Sequence, residues 1–168
     1  MGDVQKVISA KVNEIGKDGP FPPGLVLLQP DADALPARCF ENVWKVVAAK
    51  GGRTIYGWTF HHRLVEGIDG PGYLYLTHHA VWQRPSDGAL VDVTPYPNLK
   101  HRPLPGKGDN LFLVDMDARP VRRAEVIAPL PLRFFPLSAN ARLVEYVAQL
   151  SRKEQAEYAR IFTEEFTR

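Results

Sequence analysis

A thiol, two adjacent imidazoles and a carboxylate set in an apolar stretch are the groups in this chain suited to covalent catalysis. They are Cys39, His78-His79 and Asp92. A thiol attacks as its thiolate, an imidazole takes and returns the proton, and a third group orients the ring and stabilises the imidazolium. Cys39 falls in the first turn of a predicted helix, where free backbone N–H groups and the positive dipole end favour an anion. The same residue also fits a plainer role as a small buried hydrophobe on a helix. A partner for Asp92 is needed in any case, because burying an unpaired carboxylate costs several kcal/mol. His79 is one choice; a backbone N–H, Arg38 or Arg84 are the others.

Strand parity separates the two histidines. Tyr73 to Trp82 and Ala89 to Thr94 are expected strands, joined by a hairpin at Pro85-Ser86-Asp87-Gly88. With Ser86 and Asp87 at the turn, paired residue numbers add to about 173. Asp92 then opposes Val81, whose side chain shares a face with His79, while His78 points the other way. An odd-numbered loop or a bulge would reverse that choice.

These residues need elements to hold them. Val4, Val7, Ile8, Val12 and Ile15 recur at helical spacing after an Asp3 cap, and Gly16 closes the pattern. Gly19 to Gly24 is a breaker cluster leading into Leu25 to Leu28, expected to be a short buried strand or extended segment. Pro36 suits the first turn of the next helix, whose apolar stripe is Phe40, Val43, Trp44, Val47 and Ala48, ended by Gly51-Gly52. From Arg53 the period becomes two, giving a strand up to Leu64 and a turn at Gly67 to Gly72. Those three strands form an antiparallel sheet. Pro95 to Gly108 reads as a surface loop, Leu111 to Val114 and Ala124 to Ile127 as edge strands. Two C-terminal helices follow, capped by Ser138 and Ser151, the second with Glu154 at capping-box spacing.

Composition bounds the rest. At 168 residues, 45% hydrophobic and 24% charged, the chain is expected to be one soluble domain. Its 15 prolines exclude an all-helical bundle. One cysteine excludes an internal disulfide framework, a Cys-rich zinc module or an iron–sulfur cluster held by this chain alone. A net charge of +2 gives no nucleic-acid footprint. No apolar run is long enough for a membrane span, and the first residues carry no leader pattern, so a cytoplasmic protein is expected. No cofactor is expected.

Four short motifs in order carry a resemblance. Cys39-Phe40-Glu41-Asn42-Val43, Tyr56-Gly57-Trp58, His79-Ala80-Val81-Trp82 and Asp92-Val93-Thr94-Pro95 are similar to a group of small bacterial proteins of unsettled function. The arrangement also resembles the papain-like and transglutaminase-like superfamily of Cys-His-Asp enzymes, whose strands often read His-Ala-Trp and Asp-Pro-Thr, one residue off from this chain in both places. It spans residues 36 to 97, which would form the catalytic core, with 138 to 168 as a helical extension. The resemblance implies an α+β fold with N-terminal helices packed on an antiparallel sheet. It implies Cys39 as nucleophile, His79 as base and Asp92 as orienting acid, acting on a peptide, amide or thioester substrate.

Gln29 is a weak choice for a side-chain oxyanion donor beside the Cys39 amide, and Asn42 could touch substrate or pin a loop. Trp58 and Trp82 could wall a cleft or belong to the core. Substrate specificity is expected in the loops Gly67 to Gly72 and Pro97 to Gly108. Two other classes remain open. His61-His62, His78-His79, Asp92 and His101 offer ligands for zinc or iron, against which adjacent strand histidines point to opposite faces. A non-enzymatic binding module on the same fold, with the C-terminal helices docking a protein partner or a second copy, would need none of this chemistry.

Overall fold

The computed structural model describes residues 2–17, 19, 21–96, 103–104, 109–123 and 126–166. Its elements in order are α1 (Gly2–Gly16), β1 (Gly24–Leu28), α2 (Cys39–Lys50), β2 (Arg53–Arg63), β3 (Tyr73–Gln83) and β4 (Leu90–Asp92). They are followed by β5 (Asp109–Val114), β6 (Val121–Arg123), β7 (Val126–Ala128), β8 (Arg133–Pro136) and α3 (Ala141–Phe166). Strands follow one another in the order β2-β5-β1-β4-β3, and β3 pairs back onto β2, so five strands close a barrel. β8 extends one edge of β3, and β6 pairs with β7 in a separate ribbon.

This corrects the expected helices-on-a-sheet architecture of the papain-like and transglutaminase-like kind. β1 runs parallel to β4 and antiparallel to β5, so the sheet is mixed. The segment expected as an edge strand at Leu111 to Val114 is an interior strand between β2 and β1. Closure needs the long-range pairing of β1 with two strands that lie far away in the chain, and periodicity carries no information about such pairing. Two expected C-terminal helices are one. Ser151 lies inside α3 and donates its hydroxyl to the Val147 carbonyl, while Glu154 accepts the Leu132 amide. The helix is capped instead by Asn140, whose Oδ1 accepts from the amides of Arg142 and Leu143. None of the helices is long and apolar enough to cross a membrane, among the described residues.

The β2–β3 and β3–β4 pairings follow the predicted antiparallel order. Trp82 pairs with Val91 and Gln83 with Leu90, the register expected from an even hairpin. β2 and β3 pair without interruption from Arg53–Gln83 to Arg63–Tyr73. Alternation along these ladders sorts the residues into two faces. Outward, α2 lays Phe40, Val43 and Val46 on Ala80, Trp82, Val91 and Val93. On the same outer surface, α1 lays Ile8 and Val12 on Trp58, Phe60, Leu74, Leu76 and Leu113. Leu25 and Leu27 on β1 are exposed around a buried Val26, so the expected short strand forms but buries only one face.

Inward, the barrel has two halves. Val26, Ile55, Val81 and Phe112 pack as an apolar cluster with Leu90 and Val114. Continuing along the same face of β2 and β3 come Gly57 and His79, then Thr59 and Thr77, then His61 and Tyr75. Gly57 is required by the closure. A Cβ there would stand 2.0 Å from the Leu113 carbonyl oxygen and 2.7 Å from the Phe112 ring. Overpacking of this kind costs about 1 to 3 kcal/mol, so Gly57→Ala is expected to lower stability by at least that much, read as a shift in the urea unfolding midpoint.

Candidate functional site

β3 is flanked on one side by β2 along its whole length. On the other side, β4 covers Trp82 and Gln83 and β8 covers Tyr73 to Leu76. Among the described residues no strand covers the edge between those two stretches. There the barrel wall opens into a cavity of about 440 Å³, bounded by Thr94, Pro95 and Tyr96 on one side and by Ile127 and Pro129 on the other. Cys39, His79, His61, Tyr75 and Thr77 line it.

The first residue of α2 is Cys39, only 8% exposed. Two residues earlier Ala37 adopts φ 60°, a left-handed conformation that costs a non-glycine residue about 1 to 2 kcal/mol. That turn brings the chain into the helix with the thiol at the cavity. The Arg38 cap position makes no side-chain hydrogen bond to the helix, so the amides of its first turn have no such acceptor.

Asp92 ends β4 with no exposed surface at all. Its Oδ1 accepts the Thr94 amide at 3.0 Å, and its Oδ2 accepts the Tyr96 hydroxyl and the Asn110 amide group, each at 2.7 Å. The His79 Nε2 lies 3.0 Å from the same Oδ2. The ring N–H is angled away from a straight line to that oxygen, which makes the contact an ion pair more than a directed hydrogen bond. With Nε2 turned to Asp92, Nδ1 is the nitrogen left to face Cys39.

Burial opposes charge on both partners, and their mutual attraction overcomes it. Burial works to raise the Asp92 pKa, but the charge of His79 and the hydrogen bonds from Tyr96 and the Thr94 amide bring it below the usual carboxylate value. For His79, burial disfavours the imidazolium. The charge of Asp92, then that of Cys39, and a hydrogen bond that the ring donates to Cys39 hold it well above the ordinary histidine value. Tyr96 is driven upward by burial and by Asp92, so it stays a phenol and a donor.

His78, one residue away, has the opposite fate. It points outward, accepts the Leu130 amide on Nδ1 and donates from Nε2 to the Ala118 carbonyl. Those partners define a neutral tautomer. Burial is the main force bringing its pKa down to about 4, assisted by the charge of His79.

The other sequence-predicted residues divide differently. Asn42 is buried and clamps the preceding loop to the helix, bonding both the amide and the carbonyl of Leu35 and the Thr94 hydroxyl. Gln29 is exposed at the end of β1 and does not line the cavity. Trp58 and Trp82 lie on the outer face in the core; their indoles donate to Asp115 and to the Gly51 carbonyl. The Gly67 to Gly72 turn does not line the cavity, whose walls come from strands, strand ends and the start of α2. Residues 97–102 and 105–108, and with them His101 and most of the second expected specificity loop, lie outside the described residues. Among the described residues no group of three or more His, Cys, Asp or Glu is placed to hold a metal ion, and His62 is bonded to the Pro71 carbonyl.

Tyr96 and Asn110 were missed in the sequence. Tyr96 stands four residues after Asp92, an available signal; Asn110 is an isolated amide on a strand that only closure brings beside β4. No protein-family model, no curated protein and no solved structure matches the chain.

The neutral state of His78 makes a pH prediction. Below pH 6.5 the unfolded chain protonates this histidine while the folded one resists down to about 4. The unfolded state then binds more protons, so stability falls as pH drops through that window, by up to about 3 kcal/mol. His78→Gln keeps one acceptor and one donor without titrating. Urea melts at pH 7 and pH 4 should show a smaller acid loss for this variant than for the wild type.

Proposed function

We propose that this protein is a cysteine-dependent hydrolase or acyltransferase that acts on an amide or thioester bond. The observation that carries the reading is one imidazole shared between a thiol and a fully buried carboxylate at the wall of a cavity. Nε2 is 3.0 Å from Asp92 on one side and Cys39 is its neighbour on the other. The motif order Cys39, His79-Ala80-Val81-Trp82, Asp92-Val93-Thr94-Pro95 supports the same chemistry.

In this reading the Cys39 thiolate attacks the substrate carbonyl carbon, and the carbonyl π electrons move onto oxygen. The Cys39 amide and the first turn of α2 face that developing oxyanion with uncapped N–H groups. His79 gives its proton to the departing amine or thiol, which leaves a thioester on Cys39. A water or an acceptor nucleophile then gives its proton back to His79 as it attacks the thioester, releasing the acyl product and restoring the thiolate. Asp92 keeps its charge throughout and stabilises the imidazolium. Asn110 and Tyr96 act through Asp92, as positioning residues.

Alkylation by iodoacetamide tests this without knowledge of the substrate. At pH 6 to 7, where an ordinary thiol is mostly protonated, Cys39 is expected to react at least about tenfold faster than a free thiol. His79→Ala is expected to remove the excess, with circular dichroism confirming that the variant is folded. Ordinary reactivity in the wild type would overturn the reading and favour a binding module.

A further inference from the structure

The catalytic reading uses Cys39, His79 and Asp92 and leaves a second polar group in the same cavity without a purpose. Thr59 and Thr77 are directly paired across β2 and β3, with their hydroxyl oxygens 2.6 Å apart. The Nε2 of His61 is 3.1 Å from the Thr77 oxygen and 3.3 Å from the Thr59 oxygen. Tyr75 stacks on the His61 ring at 4.7 Å between centroids and 15° between planes. Thr59 is 1% exposed and His61 5%, whereas Thr77 and Tyr75 are half-buried; Thr77, Tyr75 and His61 line the cavity.

Stability alone does not account for this cluster. Valine has the shape of threonine without the hydroxyl, and the other half of the same barrel interior is filled by Val26, Ile55, Val81 and Phe112. Buried hydroxyls cost desolvation that their mutual hydrogen bonds only offset. The polar half is the half that opens to the cavity. A hydroxyl has one proton and two lone pairs, so after its contacts with Thr59 and His61 the Thr77 hydroxyl, the one of the pair that lines the cavity, keeps one hydrogen-bonding position for a ligand.

Position decides what the ligand presents. Residues on one face of a strand recur every two positions, about 6.8 Å apart, and Thr77 is two positions from His79 along β3. A group bonded to Cys39 and running along this face therefore meets the hydroxyls roughly 7 Å from the base. Among the described residues that line the cavity there is no lysine or arginine, and hydroxyls match a neutral polar group better than a carboxylate.

We infer that Thr77 and His61, backed by Thr59 and walled by Tyr75, form the acyl pocket of the enzyme and select a short, uncharged acyl group ending in a hydrogen-bonding atom about four bonds from the carbonyl carbon. This rests on the acyl-transfer reading for the word acyl and on the geometry alone for the pocket. The test uses Cys39→Ala, which keeps the cavity and removes the chemistry, titrated by NMR with 4-hydroxybutyramide and with butyramide. The hydroxylated amide is expected to bind about tenfold more tightly, and the preference is expected to vanish when Thr77→Val is added, with thermal melting as the check on folding. Thr77→Ala takes its place should Thr77→Val unfold.

Equal affinity for the two amides, failure of both to bind, or a preference that survives the Thr77 substitution would each overturn the pocket. Iodoacetamide alkylation of the wild type is measured alongside. Fast alkylation without an amide preference removes the pocket and leaves the catalytic reading. A preference with ordinary alkylation does the reverse, and the cluster is then a binding site for neutral polar amides.

Discussion

A carboxylate with no access to water has to find its compensation inside the protein, and Asp92 draws it from four places. The Thr94 amide and the Tyr96 hydroxyl come from the chain just after β4, the Asn110 amide from β5 and the charged ring from β3. β5 does not neighbour β4 or β3 in the sheet. Its asparagine reaches Asp92 only across the inside of a closed barrel. Closure and charge compensation therefore depend on each other. Removing one partner from a buried pair leaves the other uncompensated, which is far more damaging than loss of a surface ion pair.

The same closure sets two adjacent histidines in opposite states. His79 points inward to a carboxylate and a thiol and keeps its proton. His78 points outward between an amide and a carbonyl and stays neutral. Neither state follows from the dipeptide. Both follow from alternation along a strand whose two faces meet different chemistry, and the outward histidine also ties Leu130 to β3, close to the rim of the cavity.

The barrel interior is divided in a similar way. Phe112 stands between the apolar cluster and the charged pair, its ring edge-on to His79 at 6.5 Å between centroids. Gly57, the strand partner of His79, leaves the space this ring occupies. Asp92, His79, His61, Thr59 and Thr77 thus gather in the half that opens through the wall, and the other half is left to apolar packing.

Local pattern was enough for much of the site. The helix with Cys39 in its first turn, the long strands on either side of the Gly67 to Gly72 turn, the even hairpin and its register are all short-range properties. Together they choose His79 over His78 and place it beside Asp92 before any fold is known. The parallel β1–β4 pairing, the interior place of β5 and the single long α3 were not legible. They depend on contacts between distant segments, for which hydrophobic period is blind, and on Ser151 donating back to the Val147 carbonyl inside the helix instead of capping a new one. The same blindness accounts for Trp58, Trp82 and Gln29, whose positions relative to the cavity are set by which face of the closed barrel they occupy. The sequence by itself determined which thiol, ring and carboxylate are available and the parity that relates the last two. Only the tertiary structure decided that the carboxylate would be wholly buried, and therefore that Tyr96 and Asn110 had to join it and His79 had to carry charge. The physical reason is that desolvation, the term that drives each of those consequences, is a property of the closed barrel and of no segment in it.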